Sequence, residues 1–244
     1  MAGTALTLQG DPGHIIAMDT FISLDTETTG LDFSSDRIIQ FGCAIFLNRK
    51  CVARRSFYIA EVDVPNNGFH VNKITDSQIS AGFQPEYAYT LIASIMHKYP
   101  HLILAYNAPF DLTFLANAFN RYGIPYDLRS MHIIDPLVIA RHFYPPFYRH
   151  RLVNACDRYQ VPYDDTHDAA DDSEAAGHVF IAQRVRHGIR GSVSALQNRQ
   201  RKWHEEWRQG FTAYHSARGK EVTVNPWPYS EEIACSAAEL STLF

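Results

Sequence analysis

The sequence predicts an α/β layer fold in which helices cover both faces of one mixed five-stranded sheet. Three apolar, β-branched runs follow one another at residues 21–25, 37–46 and 55–59, an order typical of an antiparallel meander. Two further apolar runs, at 102–106 and 133–135, alternate with segments of helical pattern. Strands followed by such an alternation indicate a mixed sheet with helices packed on it.

The helical segments are identified by apolar spacing and by the residues that start and stop helices. A first helix is predicted at 86–99, where Pro100 ends it. Asn107 is expected to cap a second helix that Gly123 ends, and Pro136 opens a third. The expected buried stripes are Tyr87, Leu91, Ile95 and Met96 in the first helix, and Phe110, Phe114, Leu115 and Ala118 in the second.

The composition excludes a disordered or fibrous chain. The 244 residues, 46% apolar and 20% charged, fit one large domain or a domain of about 180 residues with an appendage. We predict a flexible leader at 1–19, a core domain at 20–188, and a helical C-terminal extension at 189–244 that packs on the core.

The charges are unevenly distributed along the chain. A net charge of −4 gives no overall attraction for nucleic acid, so any such binding must come from local basic patches and from metal ions. Residues 157–174 contain seven acids against Arg158, whereas 184–220 contain nine Arg or Lys against two Glu. The acidic stretch could hold cations and the basic one a phosphate backbone; a solvated helix face is the alternative for the basic stretch.

The cysteine pattern indicates a reducing compartment. The four cysteines show no Cys-x-x-Cys spacing and are few for this length, so we expect free thiols and a cytoplasmic location. No basic stretch followed by an apolar run opens the chain, and no segment reaches the ~18 apolar residues of a membrane span. We therefore expect no membrane partner. The cysteines are Cys43, Cys51, Cys156 and Cys235.

The first candidate motif is the sequence Asp-Thr-Glu-Thr-Thr-Gly-Leu at 25–31. On an extended strand, Asp25 and Glu27 point to the same side and can present two carboxylates toward one point. Such a pair is costly unless a cation or a basic group lies between them, although a solvated strand end gives the same pattern. The bend at Thr28, Thr29 and Gly30 could offer backbone N–H groups to a terminal hydroxyl or phosphate.

The second motif is Tyr-Asn-Ala-Pro-Phe-Asp at 106–111. A buried strand delivers Asp111 to the first turn of a helix, where the helix dipole favours its charge and where α/β sheets bind ligands. The alternative is a capping acid without a chemical role.

The third motif places His167 five residues before Asp172. Five helical residues turn through about 500°, which leaves the two side chains about 140° apart. We therefore expect His167 in the loop before the helix and Asp172 one turn into it. Asp168 and Asp171 compete for the metal-ligand role, and both also fit as favourable acids in a helix first turn.

Together the three motifs resemble the DEDDh subgroup of the DnaQ-like 3′–5′ exonuclease superfamily, whose members have an RNase H-like fold. The resemblance covers residues 21–183, roughly two thirds of the chain, and includes 69–75, which is similar to the family's His-Gly-Ile-Thr segment. Tyr106 replaces the usual His, and Val71 follows His70 in place of Gly. The subgroup with Tyr as the base needs Tyr-x-x-x-Asp, which Tyr163 does not provide, so the His form is favoured.

The resemblance implies roles for the site residues. Two Mg²⁺ or Mn²⁺ ions would be held by four carboxylates, and His167 would be the general base for the attacking water. The carboxylates are Asp25, Glu27, Asp111 and Asp172. The residues expected to contact the substrate strand are Thr28, Thr29, Gly30, Asn107 and Phe110.

The segment beyond Gly188 predicts one long helix with an apolar stripe flanked by basic residues. Packing on the core, a surface for a polymerase or clamp, and extra grip on nucleic acid all remain open. Residues 224–228 resemble the tail of actinobacterial and actinophage DnaQ-like exonucleases. The stripe is Leu196, Trp203, Trp207 and Phe211.

The resemblance implies an exonuclease that trims single-stranded 3′ ends of DNA in proofreading or repair, with a DNA polymerase as a possible partner. An RNA-trimming relative of the same family is the second hypothesis. A catalytically silent nucleic-acid-binding or interaction module is the third, but such a protein has no physical reason to keep four clustered acids.

Overall fold

The computed structural model describes residues 18–98, 102–144, 148–164 and 168–229. Within them, one five-stranded sheet has the order β3-β2-β1-β4-β5. The first three strands pair antiparallel, and β4 and β5 add in parallel beyond β1. The predicted mixed sheet with an N-terminal meander is therefore confirmed. The strands are β1 (Phe21–Thr28), β2 (Ile38–Leu47), β3 (Lys50–Tyr58), β4 (Leu102–Leu104) and β5 (His132–Ile134).

Helices cover both faces of the sheet, as predicted. Side chains at alternate β1 positions point to opposite faces. Ile22 and Leu24 pack with α3 and α4, whereas Phe21 packs with α5, α7 and α8. The helices are α1 (Phe69–Asn72), α2 (Asp76–Ser80), α3 (Pro85–Lys98), α4 (Ala108–Arg121), α5 (Pro136–Phe143), α6 (Leu152–Tyr159), α7 (Ala169–Arg186) and α8 (Val193–Ser216), with a 3₁₀ turn at Leu128–Ser130.

The third strand starts earlier than predicted. It begins at Lys50 instead of Arg55, because the chain reverses at Asn48 and Arg49, which have φ angles of 50° and 66°. This strand lies at the sheet edge and most of its side chains are exposed or half-buried. Its first half therefore carries no continuous apolar run from which a strand could be predicted.

The predicted stripe of helix α3 is confirmed at Met96, and Ile95 is partly buried against the core, but the stripe is wrong at its first position. The structure buries Ala88, Ile92 and Met96, whereas Tyr87 is 59% exposed. The ring of Tyr87 makes an edge contact with the ring of Phe83 at 5.2 Å between centroids, at the rim of the core. Tyr99 and Pro100, the predicted end of this helix, lie outside the described residues.

Asn107 is the N-cap of helix α4, as predicted, but its side chain does not make the expected cap. Asn107 has a left-handed backbone (φ 75°), and its side chain makes no cap hydrogen bond. The carboxylate of Asp135 accepts hydrogen bonds from the backbone N–H groups of Asn107 and Ala108, both at 3.1 Å, and of Leu137 at 2.8 Å. One buried acid thus caps α4 and α5 together.

The start of α7 lies against β2 without room for a side chain between them. Gly42 is paired with Asp25 in the sheet, and a Cβ atom added to it would lie 2.1 Å from the carbonyl carbon of Ala169. Further along α7, a Cβ on Gly177 would lie 2.3 Å from the ring of Phe46. These glycines set the distance between the helix and the strands beneath it.

We predict that Gly42→Ala destabilises the protein by about 2 kcal/mol, because backbone atoms of α7 must move to accept the methyl group. Gly210→Ala is the matched control, since Gly210 lies in helix α8 with no atom within 4 Å of the added Cβ. That change should be neutral or stabilise slightly. Urea denaturation of both variants provides the measurement, and equal midpoints would contradict the close contact.

Helix α8 packs on the sheet through its N-terminal half. Val193 and Leu196 are buried in the core. Gln197 Oε1 accepts a hydrogen bond from the backbone N–H of Ile133 at 3.2 Å, and Gln200 Oε1 accepts one from Asp135 at 2.8 Å. The glutamines therefore lie along the free edge of β5.

The second half of the predicted α8 stripe is not part of the core. Trp203 is partly buried against it, but Trp207 and Phe211 are half-exposed. The buried side chains of α8 are Val193, Leu196, Gln200 and His204. Beyond the helix, the chain turns back, His204 Nε2 donates to the carbonyl of Asn225 at 3.1 Å, and Trp227 is buried.

The chain segment before β1 is anchored at its end. Met18 is buried in the core, and Asp19 forms an ion pair with Arg184. The rest of the predicted leader, residues 1–17, lies outside the described residues. Cys43, Cys51 and Cys156 form no disulfide with one another, and Cys235 is outside the described part of the chain. None of the described helices is long and apolar enough to cross a membrane.

Candidate metal centre and active site

Three carboxylates meet at the carboxyl end of the central strand β1. Asp25 and Glu27 lie inside the strand and point to the same side, and Asp172 approaches from the first turn of α7. Each residue offers a carboxylate oxygen, and these oxygens all lie within 4.8 Å of one another. A set of oxygen donors at this separation fits a hard divalent cation.

Asp111 reaches the same strand end from the opposite face of the sheet. Its Oδ1 accepts hydrogen bonds from the backbone N–H of Thr26 at 2.9 Å and from the Thr26 hydroxyl at 2.8 Å. The side chain is 2% exposed, and its charge acts on Asp25. The structure thus brings Asp111 beside the carboxylate cluster and fixes its orientation.

The other two acids of the third motif have hydrogen-bond partners outside the cluster, although the charge of Asp168 still raises the pKa of Asp25 and Glu27. Asp168 is the N-cap of α7: it accepts from the N–H groups of Ala170 and Asp171, and from Gln40 Nε2 at 2.8 Å. Asp171 pairs with Arg54 at 2.6 Å on the surface. Asp171 is thus a first-turn acid, as interpreted, whereas Asp168 caps the helix one position before it.

Burial and mutual repulsion make it costly to ionise the clustered acids without a cation. Burial is the main cause that raises the pKa of Asp25 well above its ordinary value, and the charges of Asp111 and Asp172 add to it. Burial, then Asp172 and Asp111, raise the pKa of Glu27 to about 8. Burial raises the pKa of Asp111 to about 7 against the hydrogen bonds from Thr26, which lower it. A bound cation would remove this repulsion.

We predict that the metal-free protein loses stability as pH rises from about 4.5 to about 8. The folded state keeps protons on Glu27 and Asp111 that the unfolded chain has already released in this range, so the folded state is favoured at the acid end. In EDTA, Tm should fall by roughly 5–10 °C over this window. Saturating Mn²⁺ should raise Tm more at pH 8 than at pH 5.

The control for this prediction is the double variant Asp25→Asn/Glu27→Gln, which should flatten the pH dependence. A Tm in EDTA that rises between pH 5 and pH 8 would contradict the prediction. Thermal unfolding followed by circular dichroism gives the readout.

Tyr163 is a site residue that the sequence argument considered only as a general base and set aside. Its hydroxyl donates a hydrogen bond to Asp172 Oδ1 at 2.6 Å. Tyr163 and Asp172 also line one cavity of about 480 Å³. Other residues lining this cavity are Tyr106, Arg141, His150 and Arg151.

We predict that Tyr163→Phe weakens Mn²⁺ binding by roughly 10-fold, because the carboxylate of Asp172 loses the group that orients it. The kcat should fall by a similar factor, with little change in KM for substrate. Tyr159→Phe is the matched control, since that hydroxyl contacts His187 Nε2 at 2.9 Å and not a clustered acid. Calorimetric titration with Mn²⁺ measures the affinity, and identical values for the two variants would exclude a positioning role.

The loop after β1 is built by its own hydrogen bonds. The Thr28 hydroxyl donates to the carbonyl of Gly30, and the Thr29 hydroxyl donates to Asp36 Oδ1 at 2.9 Å. A Cβ on Gly30 would lie 2.3 Å from Asp36 Oδ2, so glycine permits this close approach. The Thr29 hydroxyl therefore donates its hydrogen bond within the loop.

Asn107 and Phe110 lie at the start of α4. Asn107 is exposed, and Phe110 is half-buried with its ring 6.0 Å from that of Phe33. Contact of these residues with substrate stays a prediction. His167 lies outside the described residues, but the residue that follows it in the chain is Asp168, the N-cap of α7.

A cluster of buried and half-buried carboxylates at the carboxyl end of the middle strand of a mixed sheet is typical of metal-dependent nucleases of the α/β class. The comparisons with known proteins agree. The family model described as Exonuclease matches residues 22–180. The chain belongs to this exonuclease family, DnaQ-like and with an RNase H-like fold, as predicted.

Curated relatives of the matched region are much longer proteins named DNA polymerase III PolC-type. DNA polymerase III PolC-type of Oceanobacillus iheyensis is 31% identical over 170 residues, which are 68% of this chain and 12% of the relative. The same protein of Halalkalibacterium halodurans is 29% identical over 169 residues, again 68% of this chain and 12% of the relative. The chain thus spans about 12% of the length of these relatives.

Solved structures with the same fold include two exonucleases. An E. coli ExoI–ssDNA complex in its zinc-bound form has a TM-score of 0.59 at 21% identity, covering 70% of this chain and 41% of that one. The moderately thermophilic Exonuclease I of Methylocaldum szegediense has a TM-score of 0.57 at 18% identity, covering 69% and 41%. At these identities the likeness shows the fold alone.

Proposed function

We propose that this protein removes nucleotides one at a time from the 3′ end of single-stranded DNA. The observation that carries the proposal is the meeting of Asp25, Glu27 and Asp172 within 4.8 Å, with Asp111 beside them. Membership of the exonuclease family and the single-stranded DNA in the ExoI complex support the same substrate. The relatives named as DNA polymerase III favour work beside a DNA polymerase in proofreading, in the cytoplasm.

Two divalent cations, Mg²⁺ or Mn²⁺, are the proposed cofactors. The residues that would hold them are Asp25, Glu27, Asp111 and Asp172, whose oxygens are hard donors. Burial and mutual repulsion raise the pKa of Asp25 and Glu27, and positive charge at this point would relieve that repulsion. When bound, such cations activate water and offset the charge that develops on the phosphate and the leaving 3′ oxygen.

The chain's own residues orient the carboxylates and accept the proton of the attacking water. Thr26 holds Asp111 by two hydrogen bonds, and Tyr163 holds Asp172 by one. His167 is the proposed general base, which takes a proton from the attacking water. An imidazole titrates near pH ~6.5 and is therefore able to accept a proton at neutral pH.

The substrate strand is proposed to enter between the loop after β1 and the start of α4. Backbone groups at Thr28, Thr29 and Gly30 would meet the terminal nucleotide on one side. Asn107 and the half-buried ring of Phe110 would lie on the other side. Base stacking on such a ring tolerates any sequence, as an exonuclease requires.

The test uses single-stranded DNA and RNA of the same sequence, labelled at either end, with Mg²⁺, Mn²⁺ or EDTA. The expected result is a ladder of shortened products from 5′-labelled DNA and immediate release of labelled mononucleotide from 3′-labelled DNA, both abolished by EDTA. Faster cleavage of RNA than of DNA would identify RNA as the preferred substrate instead. Retention of DNA without any product in Mn²⁺ would indicate a silent binding module.

Neighbouring acids of α7 supply the matched control for this test. Asp172→Ala should abolish the ladder, whereas Asp171→Ala should not, because Asp171 pairs with Arg54 away from the cluster. Equal activity of these two variants would remove Asp172 from the proposed site.

A further inference from the structure

We propose that helix α8 carries a second binding surface, which holds single-stranded DNA on the 5′ side of the end being cut. The surface, here called the aromatic groove, is a cavity of about 800 Å³ between α5 and the second half of α8. It is lined by Arg141, His142, Trp203, Trp207, Phe211 and Tyr214, among others. Helix α8 lies outside the family match, which ends at residue 180. The inference rests on the proposed DNA exonuclease function.

The rings of the aromatic groove include two stacked pairs. Trp207 and Phe211 are one helical turn apart, with centroids 5.0 Å apart and planes inclined by 27°. His142 stacks on Trp203 at 4.0 Å and 11°. Tyr214 is 54% exposed, and Trp207 and Phe211 are half-exposed. Partly exposed flat rings are surfaces on which unpaired bases of any sequence can stack.

Cations accompany these rings. The guanidinium carbon of Arg141 lies 3.7 Å from the ring centroid of Trp207, and that of Arg218 lies 3.6 Å from the ring centroid of Tyr214. The groove lining itself holds Arg141 against Glu206. The surrounding stretch, residues 184–220, holds nine Arg or Lys against Glu205 and Glu206, a net charge of +7 in a chain of net charge −4. Positive charge beside aromatic rings favours a phosphate-linked chain of bases over an apolar peptide helix.

The aromatic groove adjoins the cavity that Asp172 lines. Arg141 lines both the groove and the cavity that contains Tyr163 and Asp172. A strand whose 3′ end lies at the carboxylates can therefore pass Arg141 and continue onto α8. Such a path predicts that long strands bind more tightly than short ones, and that only the long ones depend on α8.

The experiment compares two substrates in the full-length chain. The first is single-stranded DNA of ~20 nucleotides, long enough to reach a second surface. The second is thymidine 5′-monophosphate p-nitrophenyl ester, which occupies the carboxylate site alone. The groove variant is Phe211→Ala/Tyr214→Ala, which leaves the proposed catalytic residues intact. Tyr87→Ala is the matched control, since Tyr87 is an aromatic residue with 59% exposure on α3, outside the groove.

We expect the groove variant to raise KM for the long DNA by roughly 10- to 100-fold, the size that loss of base-stacking rings produces. Hydrolysis of the ester and all kinetics of Tyr87→Ala should be unchanged. An unchanged KM for long DNA would overturn the proposal and leave an apolar protein segment as the occupant of the groove. Equal loss on both substrates would also overturn it, because α8 would then act through the core. Failure of the wild-type chain on both substrates would refute the proposed function instead.

Discussion

Asp25→Asn is expected to abolish cleavage, with a loss of at least about 10³-fold in kcat. Asp25 is the acid on which burial and the charges of the neighbouring carboxylates converge, so its charge is the one that a bound cation most stabilises. Loss of cation-assisted charge stabilisation raises the activation barrier by several kcal/mol. Each increase of about 1.36 kcal/mol slows the reaction tenfold. Single-turnover cleavage of 5′-labelled DNA in Mn²⁺ is the measurement.

The same variant supplies its own control for folding. Because the substituted amide would carry no charge beside Asp111 and Asp172, the metal-free variant should unfold at a higher temperature than the wild type at pH 8. Wild-type turnover in saturating Mn²⁺ would show that Asp25 takes no part in the reaction. A lower Tm in EDTA would show that its carboxylate stabilises the fold.

His167→Ala is expected to lower kcat by roughly 10²–10⁴-fold, which is the usual size of a general-base contribution. The reason lies in position: residue 167 directly precedes the N-cap Asp168, and Asp172 of the cluster lies one turn into the same helix. The wild-type rate should fall below pH ~6.5 as an imidazole takes up its proton, and the variant should lose this limb of the pH profile.

Tyr163→Phe is the comparison variant for His167→Ala, because Tyr163 is the other residue considered as the base. If Tyr163 were the base, Tyr163→Phe would remove the pH dependence and His167→Ala would not. We expect the opposite, because the Tyr163 hydroxyl already donates to Asp172 and so acts as a donor at the site. A pH–rate profile that is the same in wild type and His167→Ala would move the base to another residue.

Much of the fold could be predicted because the patterns that specify its strands and helices lie within short stretches of sequence. Apolar runs separated by turn residues predict the strands, and alternation with helical patterns predicts the mixed sheet. The errors arose where partners are distant in sequence. Nothing near Asn107 reveals that Asp135, 28 residues later, accepts its N–H. Nothing in the spacing of α3 reveals that Tyr87 lies at the rim against Phe83.

In the candidate site, too, local patterns could be predicted and contacts between distant segments could not. Strand alternation predicts that Asp25 and Glu27 share a side, and helix geometry separates His167 from Asp172. The hydrogen bonds of Thr26 to Asp111 and of Tyr163 to Asp172 join separate segments, so no local pattern reports them. The domain boundary at residue 188, the DEDDh assignment, and the likeness of 224–228 to actinobacterial and actinophage relatives stay predictions.

Gln197 and Gln200 have a consequence for solubility. Strand β5 ends the sheet, and an uncovered strand of this kind can recruit a strand from another molecule and start aggregation. By accepting the outward N–H groups of Ile133 and Asp135, the two glutamines occupy the positions where a foreign strand would bind. A shortened chain that stops at residue 188 would expose these groups, and so would be prone to self-association even with all four carboxylates in place.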